Sequence, residues 1–312
     1  MKLEDIKRIG VVGAGTMGHG IALSFALWGY PTVMCDVTDD ILKGALRRIS
    51  SVLDTFVEEG VVTRKQADDA IGRITTTPDL AVLARDVDYV CEAITERSQD
   101  KKELFNKLDA MCPPNTILAS TPSSLMLSDF GSDVKRQDKI IVTHYFNPPH
   151  IVPCVEVVKG PRTSDETFNL TYDLLEKVKK LPVRVLKELP GYLVNRIQMG
   201  MYREIFDLWA KGVASTEDID RAVSGSFGFR LASAGPLLTR DLAGFPKMGA
   251  LVVTAQNRLC GQISNAKEIP EEVSKLWESH KGFYDYPQER WEQIIKQRDK
   301  EFLSLLKQLY WS

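Results

Sequence analysis

Up to about residue 188, short apolar runs alternate with longer stretches in which apolar residues recur at helical spacing. Apolar runs of about four to eight residues predict buried strands, and the stretches between them predict amphipathic helices. The predicted strands are Arg8–Gly13, Pro31–Asp36, Val87–Ile94, Thr116–Thr121, Lys139–Phe146, Cys154–Val158 and Pro182–Leu186. This alternation is typical of an α/β domain built on a mostly parallel sheet.

After Pro190-Gly191 the pattern changes to helices alone. The predicted helices of this part are Tyr192–Leu208, Ser215–Gly225, Leu242–Leu259, Pro270–Trp277 and Gln288–Leu309. A chain of 312 residues is long enough for about two domains. The sequence therefore predicts an α/β domain over residues 1–188, followed by an all-helical domain over residues 189–312.

A helical hairpin is predicted inside the first domain. The stretch Thr38–Gly60 is amphipathic, with apolar residues recurring at roughly helical spacing. A second helix, Thr63–Ile74, starts on a threonine suited to capping and carries its charges outward. Since no strand pattern separates the two, we interpret them as a hairpin inserted in the α/β domain.

The first predicted strand runs directly into a glycine motif, G-x-G-x-x-G, which opens a helix. Glycines also serve ordinary turns, but a strand before the motif and a helix after it match a dinucleotide-binding loop. Asp36 ends the next strand, 18 residues beyond Gly18, where a carboxylate bonds ribose hydroxyls and repels a 2′-phosphate. We therefore predict NAD rather than NADP, bound by Gly13, Gly15, Thr16, Met17, Gly18 and Asp36.

Composition excludes several other classes of function. The formal net charge of -2 and the absence of a basic cluster argue against nucleic acid and anionic membranes as partners. No apolar run is long enough to span a bilayer, and the charged first residues do not resemble a signal peptide, so a cytoplasmic protein is expected. The five cysteines include no C-x-x-C pair, and the histidines lack metal spacing, so neither disulfides nor a metal is predicted.

Polar residues beyond the ends of two strands are candidates for ligand contacts, because ligands bind at the carboxyl ends of parallel strands. Glu96 and Lys101 follow one strand, and Ser123 follows the next. Each has an ordinary alternative: a solvated charge for Glu96 and Lys101, and a helix cap for Ser123.

Two ionisable residues stand inside or beside apolar runs. His144 ends the run that starts at Lys139, and Glu156 lies within Pro153–Val158. A buried carboxylate needs a partner, and an imidazole held by a carboxylate is a common general base near pH 7. The alternative is an unrelated core histidine and a surface glutamate.

Two polar residues of the helical part also need explanation. Asn195 lies among Leu193, Val194 and Ile197, so its amide needs a partner or faces a cleft. Arg230 stands between apolar residues in a glycine-containing segment, where a guanidinium either extends to solvent or binds an anion.

Five segments together resemble the short-chain L-3-hydroxyacyl-CoA dehydrogenase family, which includes 3-hydroxybutyryl-CoA dehydrogenases and a lambda-crystallin or L-gulonate 3-dehydrogenase branch. They are Gly13–Gly18, Glu92-Ala93-Ile94 with Glu96, Ser123-Ser124-Leu125, His144-x-x-Asn147-Pro148 with Glu156, and Pro190–Arg196. The resemblance covers nearly the whole chain. It implies a Rossmann-type NAD domain, a helical substrate-binding domain and a homodimer formed through that helical domain.

The resemblance also implies roles for single residues. His144 would be the general base, Glu156 its orienting partner, and Ser123 and Asn195 the groups that hold the substrate oxygen. Asn147 would help to position the nicotinamide, and Glu96 and Lys101 would lie along the cofactor and substrate channel.

The substrate expected first is a 3-hydroxyacyl-CoA such as 3-hydroxybutyryl-CoA, and the hairpin around Phe56–Ile74 is similar to that of the bacterial 3-hydroxybutyryl-CoA enzymes. Departures from the family pattern fit a small free acid about equally well. Pro122 stands before Ser123 and removes a backbone donor. Pro148-Pro149-His150 and Arg230 are more similar to the free-acid branch, and a bidentate arginine suits a carboxylate. A catalytically silent NAD-binding protein is a further alternative, whereas His144 disfavours the phosphogluconate-type reductases, which use a lysine base.

Overall fold

The computed structural model describes residues 1–231, 233–244, 248, 250–279, 283–284 and 287–311. By internal contacts the chain forms two compact units: Met1–Asn195 with Glu292–Ser312, and Arg196–Trp291. The expected domains, 1–188 and 189–312, are functional assignments and stay predictions. The packing units differ from them because the last helix returns to the first unit.

The first unit is built on an eight-stranded sheet. Its strand order is β3-β2-β1-β4-β5-β6-β7-β8, and every neighbouring pair is parallel except β6 and β7. The strands are β1 (Ile9–Val12), β2 (Thr32–Cys35), β3 (Ile74–Thr77), β4 (Tyr89–Glu92), β5 (Ile117–Ser120), β6 (Ile140–Tyr145), β7 (Cys154–Val158) and β8 (Leu181–Val185). The predicted mostly parallel α/β architecture is confirmed.

The central strands β1, β2, β4 and β5 are buried along their whole length. Strands covered by helices on both faces read as continuous apolar runs, which explains why the sequence predicts them well. Strand β3 was not predicted, because its sequence, Ile-Thr-Thr-Thr, has no apolar run and only its two end residues are buried. It lies at the sheet edge, where the sequence analysis extended the preceding helix to Ile74.

Helices α1 to α7 cover the sheet. Their bounds are α1 (Gly18–Leu27), α2 (Asp39–Glu58), α3 (Arg64–Gly72), α4 (Leu80–Ala84), α5 (Ser98–Met111), α6 (Leu127–Phe130) and α7 (Asp165–Lys177). Helices α2 and α3 follow one another along the chain and pack together, and their interpretation as an inserted hairpin stays a prediction. Thr38 caps α2 through the N–H of Ile41, and Thr63 and Gln66 form a capping box on α3.

The last helix, α14 (Trp291–Leu309), packs on the first unit. Leu303 and Leu306 are buried in a cluster with Phe56 of α2 and with Ile151. Two of its lysines, Lys296 and Lys300, form ion pairs with the end of α2. Helix α14 thus packs against the C-terminal end of α2 and against Ile151.

Helices alone make up the described part of the second unit. The α-helices are α8 (Val194–Ala210), which begins at the boundary, α9 (Thr216–Val223), α10 (Phe229–Leu231), α11 (Pro236–Leu242), α12 (Ala250–Cys260) and α13 (Glu271–Glu278). A π-helix, Ser224–Gly228, and a 3-10 helix, Gln288–Arg290, complete the described elements. The predicted helix Leu242–Leu259 differs from the structure in its first part. Leu242 is the last residue of α11, and α12 begins at Ala250. Residues 245–247 and 249 lie outside the described residues. Across the described parts of the chain, no helix is both long and apolar enough to cross a membrane.

Candidate active site

The glycine motif forms the turn between β1 and α1. Gly13 has a φ of +96°, a left-handed conformation that favours glycine, and a Cβ there would lie 2.5 Å from the Ala93 carbonyl oxygen. A Cβ on Gly18 would lie 1.7 Å from the Gly13 carbonyl oxygen. In contrast, a Cβ on Gly15 would meet no atom within 4 Å. Gly13 and Gly18 are therefore required by the turn itself, whereas Gly15 leaves an open approach to the backbone.

Side chains from β2, α1 and α2 hold this turn. Asp36, directly after β2, accepts the N–H of Ala14 at 2.6 Å. Arg48 of α2 donates to the Ala14 carbonyl at 2.7 Å, and His19 Nδ1 lies 2.7 Å from the Gly15 carbonyl oxygen. Burial lowers the pKa of His19, so the neutral ring donates through Nδ1. Arg48 was missed by the sequence analysis, since an arginine on an amphipathic helix is normally a solvent-facing residue.

This arrangement fits a dinucleotide. The open space at Gly15 and the N-terminus of a ten-residue helix, α1, suit a pyrophosphate. The carboxylate of Asp36 lies beside the turn, the position from which ribose hydroxyls are bound.

His144 and Glu156 lie directly opposite each other in the antiparallel pair β6 and β7. Side chains of opposed residues lie on the same face of a sheet. His144 Nδ1 is 2.7 Å from Glu156 Oε2, and the two side chains are 5% and 0% exposed. The two residues that the sequence predicts as a pair are in contact.

The second oxygen of Glu156 is also bonded. Oε1 accepts the N–H groups of Leu193 at 2.9 Å and Val194 at 2.8 Å. A carboxylate that accepts three hydrogen bonds can be buried as an ion. Since Nδ1–H donates to this carboxylate, a neutral His144 ring carries its lone pair on Nε2. The rings of Phe146 and Tyr192 flank the imidazole, with centroids 4.5 Å and 5.5 Å from it.

Glu96 anchors the segment that carries Ser123. Its carboxylate accepts the hydroxyl of Ser123 at 2.6 Å and that of Ser124 at 2.6 Å, together with three backbone N–H groups of Ser123, Ser124 and Leu125. Partial burial alone would raise the pKa of Glu96, but the bonds from Ser123 and Ser124 outweigh it and lower this pKa to about 2. Glu96 therefore stays ionised and fixes the orientation of Ser123.

Asn195 reaches the same segment. Its Nδ2 donates to the Ser123 carbonyl at 3.0 Å. The buried residue Tyr192 also binds this segment, because its hydroxyl donates to the Leu125 carbonyl. Ser123, Glu96 and Asn195 are thus brought together, and Tyr192 links them to the His144 ring. Asn147 lies exposed just after β6.

Lys101 lies on α5. Its side chain is 1% exposed and forms an ion pair with Glu92 at 2.5 Å, beside Ser120. The physical reason is that Glu92 ends β4 fully buried, where a carboxylate needs a charged partner. Lys101 is thus the buried partner of Glu92, and its expected place along the cofactor and substrate channel stays a prediction. Arg230 lies exposed on α10 of the second unit, and its role stays a prediction.

Comparison with known proteins shows which family the chain matches. The sequence model of the 3-hydroxyacyl-CoA dehydrogenase NAD binding domain matches residues 8–189, and that of the C-terminal domain matches residues 191–286. The chain is 32% identical over 287 residues to the 3-hydroxybutyryl-CoA dehydrogenase of Clostridioides difficile, covering 89% of this chain and 99% of that protein.

Other relatives act on other substrates or match more of the chain. The 5-formyl-3-hydroxy-2-methylpyridine 4-carboxylate 5-dehydrogenase of Mesorhizobium japonicum is 27% identical over 307 residues, covering 96% of this chain and 97% of that protein.

Solved structures give the same picture. A crystal structure of a dehydrogenase for this pyridine carboxylate, described as an NAD+ dependent dismutase, has a TM-score of 0.89 at 26% identity and covers 97% and 98% of the two chains. M. tuberculosis FadB2 has a TM-score of 0.75 at 28% identity, covering 90% of this chain and 99% of that one. The chain therefore belongs to the 3-hydroxyacyl-CoA dehydrogenase family, and it is an NAD-dependent oxidoreductase that acts on CH–OH groups.

Proposed function

We propose that this protein oxidises the hydroxyl group on the third carbon of an acyl compound to a ketone, with NAD as hydride acceptor and His144 as general base. The observation that carries the proposal is the buried contact of 2.7 Å between His144 and Glu156, which leaves Nε2 of the imidazole to accept a proton. When bound, NAD supplies the acceptor for the hydride from the carbinol carbon.

The residues of the chain then have separate tasks. His144 Nε2 takes the hydroxyl proton, and the charge of Glu156 stabilises the imidazolium that forms. The Ser123 hydroxyl donates to Glu96 in the structure, and to hold the substrate oxygen it would turn and donate to that oxygen instead. The side-chain amide of Asn195 donates one N–H to the Ser123 carbonyl, and its second N–H would donate to the substrate oxygen. Asn147 completes the proposed site at the nicotinamide end.

For the substrate we favour a small free 3-hydroxy acid. The pyridine carboxylate dehydrogenase matches this chain almost end to end at a TM-score of 0.89, whereas the family sequence models end at residue 286, before α14. Arg230 would bind the free carboxylate through two parallel N–H donors. A 3-hydroxyacyl-CoA such as 3-hydroxybutyryl-CoA is the second candidate. It is favoured by identities of 32% and 34% to the 3-hydroxybutyryl-CoA dehydrogenase of C. difficile and a probable one of Bacillus subtilis.

Side-by-side turnover of 3-hydroxybutyryl-CoA, L-gulonate and L-3-hydroxybutyrate separates these substrates. We expect Arg230→Ala to raise KM for the best free acid by about 10-fold or more, because a charge-assisted bond is lost, and to leave kcat nearly unchanged. Arg221→Ala is the matched control, since Arg221 is an exposed arginine paired with Asp218 on α9. Equal KM values with and without Arg230 would remove it from the site. NADH binding with no turnover of any substrate would support a silent NAD-binding protein instead.

A homodimer formed through the second unit is part of the proposal. Large apolar side chains there are exposed in the single chain, and the most exposed are Leu237 (82%), Leu251 (81%), Phe229 (76%) and Leu242 (74%). Exposed apolar surface of this extent marks an interaction face.

Light scattering after size exclusion should accordingly give twice the mass of the chain. The double variant Leu237→Glu/Leu251→Glu is expected to shift the mass to that of one chain, because buried carboxylates oppose association. Leu186→Glu, at a residue 69% exposed on the first unit, is the control that should stay dimeric. A wild-type mass equal to one chain would refute the dimer.

A further inference from the structure

Residues 146–153 connect the two strands that carry His144 and Glu156. The connection forms a tight turn, in which the N–H groups of Ile151 and Val152 both bond the Pro148 carbonyl, at 3.1 Å and 2.9 Å. Asn147 lies at its start. Any shift of this turn therefore moves Asn147 directly. It also displaces the adjoining ends of β6 and β7, the strands that carry His144 and Glu156.

A buried lysine holds the inner side of the turn. Lys180 Nζ donates to the Pro149 carbonyl at 2.5 Å and to the Val152 carbonyl at 3.2 Å. Lys180 stands just before β8, whose first residue donates its N–H to the Pro153 carbonyl at 2.8 Å. Strand β8 in turn pairs with β7, with Val183 opposite Glu156. The Lys180 amine thus links the turn to β8, which pairs with β7, the strand that carries Glu156.

Burying the charged amine of Lys180 costs free energy. The side chain is 9% exposed, and among the residues that the structure describes no carboxylate forms an ion pair with it. Burial lowers the pKa of Lys180 to about 7. An apolar side chain would fill the same space without this cost, so hydrogen bonding to the two carbonyls is the physical gain that lysine brings.

Apolar packing alone cannot fix the orientation of the turn. Ile151 is buried against Phe56, Leu303 and Leu306, which sets how deeply the turn lies. Such contacts are non-directional, whereas hydrogen bonds to carbonyl groups constrain the rotation of each peptide plane. The two bonds from Lys180 supply most of that constraint, and the Ser24 hydroxyl adds a longer bond of 3.5 Å to the Pro149 carbonyl.

We propose that Lys180 is a positioning residue for the reaction: its two hydrogen bonds hold the 146–153 turn so that Asn147 and the His144–Glu156 pair keep their productive geometry. This inference rests on the proposed function, because it assumes that His144 is the general base. Lys180 touches neither substrate nor cofactor in this account and acts through the backbone.

The test compares Lys180→Met, which keeps the length and loses the donors, with Lys180→Arg, which keeps charge and donors. NADH titration by fluorescence counts the competent sites, and kcat is expressed per site, so that loss of folded protein does not enter. Lys180→Met should lower kcat per site by about 10- to 100-fold, the scale of a misplacement of about 1 Å, with the Kd for NADH unchanged. Lys180→Arg should recover most of the loss, and Lys179→Met, at the exposed neighbour, should behave as wild type.

Lys180→Leu, which also has no donor, carries the same expectation as Lys180→Met and replaces it if that variant does not fold. A wild-type kcat per site in the folded Met or Leu variant overturns the proposal and assigns Lys180 a structural role only. His144→Gln, measured in parallel, separates the two levels of the account. If His144→Gln is inactive and Lys180→Met is not impaired, only the role of Lys180 fails; if His144→Gln is fully active, the proposed function fails.

Discussion

His144→Gln is expected to lower kcat by about 10²- to 10⁴-fold, the range measured for loss of a general base, with the Kd for NADH unchanged. Turnover falls because the glutamine amide cannot accept the hydroxyl proton. The Kd for NADH is unchanged because the glycine turn proposed to bind the cofactor follows β1, whereas His144 lies on β6. Turnover is followed as NADH formation under saturating NAD, and cofactor affinity by fluorescence titration.

Glu156→Gln should give a loss of similar size, because the negative charge that stabilises the imidazolium is removed. This variant should also be less stable, since Glu156 accepts the N–H groups of Leu193 and Val194. If the two residues act as a unit, the double variant loses little more than either single one. Glu176→Gln, at an exposed glutamate of α7, is the control. Wild-type turnover in both single variants would contradict the assignment of the pair.

Gly18→Ala and Gly15→Ala are expected to differ although both add one methyl group to the same turn. A Cβ on Gly18 would lie 1.7 Å from a backbone oxygen, so the turn must move. We expect Gly18→Ala to lower the free energy of unfolding by about 1–3 kcal/mol or more, as overpacking does, and to abolish tight NADH binding.

Gly15→Ala, in contrast, should leave the melting temperature of the protein without cofactor unchanged, because its Cβ meets no atom within 4 Å. It should weaken NADH binding by about 10-fold or more, or about 1.4 kcal/mol, since the methyl group occupies the space through which the pyrophosphate approaches the backbone. Differential scanning fluorimetry and NADH titration measure the two effects. An unchanged NADH affinity in Gly15→Ala would remove this glycine from the cofactor site.

Most of the fold was predictable because its signals are local. The central strands are buried on both faces and therefore read as apolar runs, and the caps at Thr38 and Thr63 mark the starts of α2 and α3. The contact between His144 and Glu156 was predictable for a different reason. Two ionisable groups within apolar runs need partners, and the family resemblance implies that these two act together. The antiparallel register of β6 and β7 that places them opposite each other is seen only in the structure.

The sequence does not show contacts between residues that are distant along the chain. Nothing near Lys101 shows that it neutralises Glu92, because their contact depends on how α5 crosses the end of β4. Likewise, nothing near Leu303 and Leu306 in the sequence shows that α14 packs against Phe56 and Ile151. In the sequence, nothing distinguishes Lys180 from other lysines that precede a strand. Its proposed role follows only from the two carbonyl groups that it binds in the structure.

The central claim, that a hydride moves from the third carbon of the substrate to NAD, is tested most directly with a substrate carrying deuterium on that carbon. After turnover of the best substrate of the panel, mass spectrometry of the reduced cofactor should show one deuterium per NADH formed. His144→Gln should form the same labelled product at a rate lowered by about 10²- to 10⁴-fold. Reduced cofactor without deuterium would contradict oxidation at the third carbon.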